Sequence, residues 1–372
     1  MQSRSHTCRT ALFTLLGVFF FFLALKNAQI AANGIKKGIG LATSTLIPSL
    51  FPFLVLSDLI LSSGIPEFAT KLLARPARVL FGLSENGAVS LLLGWLCGVP
   101  VGTVSALTML KNSQISREEF ERLLLFSNTP STGFLIVAVG GNLFQSTEVG
   151  FVLFLITFFA SVFTGIFLKL LFGNLESTNA CQHHPKKEPY STRFTGAVRH
   201  GFSTILEVTG FVLFFSGIAE CICAITKKLS LSALISVLLT GILELTAGVN
   251  TATLSLPPRH AFCLCAFFAG FSGLLICLQL FSLSITVRPG LLPYLLSKLT
   301  QGVLSFILAY LYLALKNPTL RTATAGFLEM GVPSLHTPAL FTIFFAILLT
   351  LVPLLLINLL KQKMVVFLRV KK

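Results

Sequence analysis

The chain has 372 residues, 54% of them hydrophobic and only 11% charged, with a mean hydropathy of +0.86. Soluble domains carry about a quarter charged residues, and one soluble core of this length cannot hide so much apolar surface, so the composition excludes an ordinary globular enzyme. The formal charge of +15 would suit nucleic acid in a soluble protein, yet Lys and Arg are scattered through short loops with no aromatic-flanked basic stripe; they are read as orienting membrane spans, and no nucleic-acid partner is expected.

A helix crosses hydrocarbon with about 20 mostly apolar residues. Segments of this kind fall at 11–25, which is short, and at 41–63, 88–110, 150–172, 201–223, 231–254, 261–287, 291–315 and 338–360. Their apolar runs are continuous, which selects helices over a β-barrel. Arg4 and Arg9 ahead of 11–25 imitate a secretory signal peptide, but an uncleaved first span is the simpler expectation. Cys97, Cys221, Cys223, Cys263, Cys265 and Cys277 lie within spans and act as small hydrophobes.

The expected fold is an all-α polytopic protein of the cytoplasmic membrane, with about eight crossings and two re-entrant hairpins. Its parts are an N-terminal anchor or signal-like segment (1–33), a first membrane repeat (34–173), a polar cytoplasmic linker (174–199), a second repeat (200–315) and a last span with a basic tail (316–372). The repeat rests on matching order. Leu92-Leu93-Gly94-Trp95-Leu96-Cys97-Gly98-Val99-Pro100-Val101-Gly102 precedes Thr132-Gly133-Phe134-Leu135-Ile136, as Leu239-Thr240-Gly241-Ile242-Leu243-Glu244-Leu245-Thr246-Ala247-Gly248 precedes Ser272-Gly273-Leu274-Leu275-Ile276.

If 128–145 and 261–287 dip in and return while the rest cross, 16 cations fall inside: Arg4, Arg9, Lys71, Arg75, Arg78, Lys186, Lys187, Arg193, Arg199, Arg259, Arg288, Lys361, Lys363, Arg369, Lys371 and Lys372. Ten fall outside: Lys26, Lys36, Lys37, Lys111, Arg117, Arg122, Lys227, Lys228, Lys316 and Arg321. With every segment crossing, the same residues divide evenly, so the positive-inside rule favours two hairpins, cytoplasmic termini and halves related by inversion.

Ser116-Arg117-Glu118-Glu119 fits a capping box and Ile115 can staple to Phe120, so a helix is expected to start at Ser116. The apolar stripe of Phe120, Leu123 and Leu124 suggests that it lies at the membrane interface, leading into a hairpin at Asn128.

Glu244 stands in an apolar run where a charged group costs roughly 2.5–3.5 kcal/mol on insertion scales, and it is expected either to face a cavity and bind a cation or proton-coupled solute, or to be tied protonated to another helix. Pro48, Pro52 and Pro100 each remove a helix amide and predict kinks or breaks; Pro100 sits between Gly98 and Gly102, and the backbone groups freed at Gly98 and Pro100 are candidates for binding an ion or polar ligand, a packing kink being the alternative. Asn128, Ser131, Thr132, Ser272 and Gln279 are candidates for binding a neutral solute, and equally for gluing helices together. Lys298 is expected to snorkel or to pair with an acid. Cys181, His183 and His184 lack a second ligand cluster, so no metal site or cofactor is expected. The sequence holds no G-x-S-x-G, Walker A or H-E-x-x-H motif, so enzyme activity is not expected.

The ordered set resembles the YlbJ-type family of sporulation integral membrane proteins, whose members carry a nucleoside-recognition or Gate domain. Ile47-Pro48-Ser49-Leu50-Phe51-Pro52-Phe53 is similar to the family's P-S-L-F-P-F, and Cys97-Gly98-Val99-Pro100-Val101-Gly102-Thr103 to its S-G-x-P-x-G-A. Asn128-Thr129-Pro130-Ser131-Thr132 stands at its Asn-rich turn, Glu244-Leu245-Thr246-Ala247-Gly248 resembles E-x-T-x-G, and Gly270-Phe271-Ser272-Gly273 with Gln279 resembles its Gly-Ser-Gln hairpin. Cys97, Thr103 and the turn at 129–132 depart from the pattern. The resemblance implies a role in endospore formation; the function expected of the chain is that of a transporter or channel for a small polar solute, nucleoside-like or ion-coupled, with a non-transporting membrane scaffold as the alternative.

Overall fold

The computed structural model describes residues 17–18, 20–62, 65–173, 190–283, 290–316, 318 and 320–322. Among them every regular element is helical. Helix α1 (Ala28–Leu41) passes through a π-helical turn, Ala42–Leu46, into α2 (Ile47–Ser62). The break expected at Pro48 and Pro52 is therefore a widened turn: the prolines lack two amides, and the π register just before them absorbs the mismatch. Helix α3 (Ile65–Phe81) meets α4 (Glu85–Leu96) at 88°, followed by α5 (Val101–Lys111) and α6 (Arg117–Phe126). A π-helical segment, Phe134–Leu143, leads to α7 (Thr147–Phe172). Beyond the linker come α8 (Tyr190–Lys228), α9 (Ala233–Leu243), α10 (Leu245–Ser255), α11 (Pro258–Phe271), α12 (Gly273–Leu283) and α13 (Leu291–Lys316). Ser84, Ser116, Ser146 and Ser232 set four of the starts, each hydroxyl accepting from the amide three residues on.

Among the described residues four helices are long and apolar enough to cross a membrane: Thr147–Phe172, Thr192–Lys228, Pro258–Phe281 and Leu291–Lys316. Leu73–Phe81 with Glu85–Leu96 makes a fifth if the bent pair is one span. Phe151, Phe159 and Phe163 on α7 and Phe202, Leu206 and Phe214 on α8 stay exposed, as a lipid-facing surface requires. Helix α11 is surrounded by protein instead, with Phe262, Leu264, Ala266 and Phe268 all at 0% exposure, and α13 packs along it. α1 and α2 run antiparallel to α8, with Gly34 against Ser216 and Gly217, and Gly201 against Leu54 and Val55.

The chain reverses where straight spans were expected. Segment 88–110 is two arms, α4 and α5, and a Cβ added at Gly102 would meet the Gly94 Cα at 2.6 Å. Ser90 Oγ also donates to the Gly102 carbonyl at 3.1 Å. Segment 231–254 folds the same way, a Cβ at Gly248 meeting the Gly241 Cα at 2.2 Å. Residues seven or eight apart in a straight helix are about 10–12 Å apart along the axis, so both segments are hairpins closed on glycine pairs. Each arm has 11 or 12 residues, about 17 Å, which reaches only partway through hydrocarbon. Conversely the described part of 261–287, expected to re-enter, lies in a helix, Pro258–Phe281, that continues past a break at Ser272 and is long enough to cross.

The capping box is present: Ser116 Oγ accepts from Glu119 N at 3.1 Å, and Ile115 and Phe120 are both buried. The interfacial placement is corrected, since α6 is enclosed on nearly all sides. Arg122, expected on the surface, is buried and donates to the Phe81 and Gly173 carbonyls at 3.2 and 2.9 Å. Glu119 also accepts from Ser84 N at 2.6 Å, so one carboxylate joins the starts of α4 and α6. The expected span 338–360, the linker stretch 174–189 with Cys181, His183 and His184, and the start of the first span lie outside the described residues.

Hairpin closure makes a stability prediction. Gly248→Ala forces backbones apart and should destabilise by about 1–3 kcal/mol. Gly210, with nothing within 4 Å, should accept Ala neutrally or gain up to about 1 kcal/mol in helix propensity. Thermal unfolding of the two purified variants checks this, and equal midpoints would contradict the hairpin closure.

Candidate functional site

Each of two helix breaks meets the tip of a hairpin. The first break, 127–133, separates α6 from the π-helical segment, and the tip of the α4–α5 hairpin is seated against it. Gly98 has φ +76°, and a Cβ there would lie 2.4 Å from Ser131 N, so only glycine fits. Val99 N donates to the Thr129 carbonyl at 3.0 Å, and Thr132 Oγ1 donates to the Leu96 carbonyl at 3.0 Å. Thr129 Oγ1 donates to the Gly94 carbonyl at 3.3 Å. Pro100 is buried at the start of α5. Thus Gly98, Pro100, Ser131 and Thr132 come together as backbone fasteners.

Asn128, fully buried, joins them. Its Oδ1 accepts from Thr103 Oγ1 at 2.9 Å, and its Nδ2 donates to the Leu124 carbonyl at 3.0 Å. Thr103, one of the departures from the family pattern, is thus the hairpin's own partner for the break. Ser131 Oγ accepts from Phe134 N at 3.1 Å and restarts the helix.

The second break lies at Ser272 and Gly273, with φ of +69° and +75°. The tip of the α9–α10 hairpin rests on it: a Cβ at Gly273 would be 3.2 Å from Leu245 N and 3.5 Å from the Glu244 Cα. Glu244 itself is extended, with φ −144° and ψ 126°, so the local loosening expected around it is a complete break. Its carboxylate turns back instead of reaching outward, accepting from Thr246 N at 2.7 Å and Ala247 N at 2.5 Å. It caps α10, where the helix dipole favours negative charge. Ser272 lies beside the tip; Gln279 is buried about two turns further along α12.

Sequence reasoning underrated one cluster. Tyr294, Lys298, Gln301 and Ser305 recur at spacings of four, three and four, one face of α13, and all are at most 1% exposed. Lys298 does not snorkel, and among the described residues it meets no acid. Its ammonium donates to the Asn128 carbonyl at the first break and to Gln301 Oε1 at 2.8 Å. Polar residues at helical spacing in an otherwise apolar span were the available signal. Separately, a solvent-open cleft of about 290 Å³ lies between α2, α5 and α8, with Asp58, Ser105 and His200 in its lining.

The Glu244 cap predicts a graded series. Glu244→Ala leaves two amides at a buried helix start and should lose about 1–2 kcal/mol, whereas Glu244→Asp, a good capping residue, should stay near the parent protein. Denaturation midpoints in detergent check this; an unaffected Glu244→Ala protein would remove the capping role.

No family model matches the chain, and no solved structure matches it. The chain is 26% identical over 335 residues to the sporulation integral membrane protein YlbJ of Bacillus subtilis (strain 168), a likeness covering 80% of this chain and 82% of that one. It bears out the family suggested by the ordered motifs: this chain is a relative of the YlbJ-type sporulation integral membrane proteins.

Proposed function

We propose that the chain is a sporulation-associated protein of the cytoplasmic membrane that acts as a transporter or channel for a small polar solute, nucleoside-like or ion-coupled. The supporting observation is the pairing of two hairpin tips with two helix breaks deep in an apolar helical body. Irregular backbone at membrane depth is tolerated where it is enclosed by protein or lines a water-filled path, and substrate sites of many transporters are built from discontinuous helices in two inverted halves. Here α4–α5 and α9–α10 correspond in order, as do the breaks at 127–133 and 272–273, which is the pairing of segments read from sequence. Counting 117–143, 147–172 and 190–228 as crossings puts three spans between the hairpins, so they enter from opposite faces. The protein carries solute without a catalytic step, and its partners are the bilayer and that solute.

Relocating the hairpins also revises the topology. Lys111, Arg117 and Arg122 move inside, and Arg4, Arg9 and Arg259 move outside if the first helix crosses once. Three cations replace three, and the division stays 16 to 10 with the linker and C-terminus cytoplasmic. A cysteine introduced at the exposed Asn112 should therefore label only from the cytoplasmic side, and one at Arg259 only from outside. Labelling in the reverse pattern would restore the arrangement with hairpins at 128–145 and 261–287.

Flux tests the function directly. Purified protein in liposomes should accelerate entry of a small polar solute from a panel that includes uridine, and Gly98→Ala, which unseats the first tip, should lower the rate. A well-folded protein that passes no solute, together with a sporulation defect on its loss, would leave the non-transporting scaffold.

A further inference from the structure

A titratable contact joins two helices at the mouth of the cleft between α2, α5 and α8. Gly201 brings α8 against α2, since a Cβ there would lie 3.1 Å from Val55 Cγ2 and 3.6 Å from Leu54 Cβ. The residue before it, His200, is thereby carried to Asp58, with Nδ1 3.3 Å from Oδ2. Both side chains are partly exposed, at 52% and 34%, so protons from the solvent reach them. The other ion pairs among the described residues, Lys37 with Glu220, Arg78 with Glu85 and Arg117 with Glu121, join residue types that are charged at neutral pH. Asp58 and His200 make an ion pair only when the imidazole holds a proton, and histidine is the side chain that exchanges one between about pH 5 and 8.

The inner wall of the cleft is the first hairpin. Val101 and Ser105 of α5 line it, and α5 begins at Pro100 in the first tip. Ser105 is 1% exposed and its hydroxyl has no partner. Thr204, one turn beyond His200, spends its own hydroxyl on the His200 carbonyl at 2.9 Å. Buried hydroxyls are nearly always bonded, so Ser105 marks a wall suited to meet a polar group entering the cleft. The cleft thus runs from a protonatable pair at its mouth to a free hydroxyl beside the first tip.

Asp58 and His200 are the titratable residues of this lining. Among the described residues outside it, the nearest charges along α8 are Arg193, Arg199 and Glu207, and neighbouring helices bring Lys36 and Lys37 on α1, Arg75 and Arg78 on α3, Lys111 on α5 and Cys277 on α12. Helix α9 and both π-helical segments carry no titratable group. We infer that Asp58 and His200 form a proton-binding latch on the mouth of the path to the first hairpin tip. With a proton on His200, imidazolium and carboxylate hold α2 to α8 and the mouth is closed; when that proton returns to water the attraction is lost and the helices part. One proton is taken up and one given back, with no other bond made or broken. The inference deepens the transport proposal and rests on it for the solute that uses the path, though closure can be measured without flux.

The test uses the full chain in detergent at low ionic strength, where exposed pairs are screened least. Ser105→Cys is labelled with a water-soluble maleimide from about pH 5 to about pH 8, and its rate is divided by that of Asn112→Cys, an exposed position, after subtraction of labelling at the native cysteines. The division removes the pH dependence of the thiol itself. The ratio should rise about twofold to fivefold as the proton leaves, the change expected of one exposed pair. Asp58→Asn should hold it high throughout, and His200→Arg, a cation at every pH, should hold it low throughout. The His200→Arg arm decides the matter if Asp58→Asn does not fold. A ratio flat with pH in the parent background, or one that still rises in Asp58→Asn or His200→Arg, overturns the inference. Flux separates the two ideas: uridine flux with a flat ratio keeps transport and sinks the latch, and a rising ratio with no flux of any solute keeps the latch and sinks transport.

Discussion

A break in an apolar helix frees amides and carbonyls that have no water to turn to, and each unsatisfied group costs several kcal/mol in hydrocarbon. This chain answers by bringing irregular backbone to irregular backbone. Val99 N reaches the Thr129 carbonyl and Thr132 Oγ1 the Leu96 carbonyl, so the first tip and the first break complete one another. The second pair does so with fewer bonds, because Glu244 supplies its own amides with a carboxylate and the Gly273 backbone packs directly on the tip. Glycines follow from the same constraint. Gly94 with Gly102, and Gly241 with Gly248, let two arms of one hairpin touch through their backbones.

Much of this was legible because proline, glycine and an isolated glutamate punctuate apolar runs visibly. The breaks near Pro100 and Glu244, the cap at Ser116 and the matched order of segments all came from residue type and spacing. The reversal of 88–110 and 231–254 was not legible, because hydropathy registers composition and not direction. Two arms of 11 or 12 residues read like one straight span. The positive-inside count did not single out the reversal either: moving both hairpins brings Lys111, Arg117 and Arg122 inside and takes Arg259 outside, and a first helix that crosses once takes Arg4 and Arg9 outside as well, which returns the total to where it began.

The amphipathic stripe of α6 misled for another reason. Its polar residues look solvated, yet Glu119 and Arg122 are buried against backbone groups of neighbouring elements, Ser84 N for one and the Phe81 and Gly173 carbonyls for the other. Lys298 repeats the lesson in the second half. A long polar side chain in an apolar segment need not reach the interface when a helix break offers a carbonyl nearby.

The buried charges are thereby tied to the same joints that close the hairpins. Glu119 spans the starts of α4 and α6, Glu244 makes the second tip, and Lys298 holds the Asn128 carbonyl on which the first tip depends. The ion pairs among the described residues, by contrast, all involve partly exposed side chains. Exposed pairs of that kind contribute little and are screened by salt. Lifting the first tip would part Thr103 from the Asn128 side chain and Val99 N from the Thr129 carbonyl, leaving at the break the polar groups that tip and break now supply to one another.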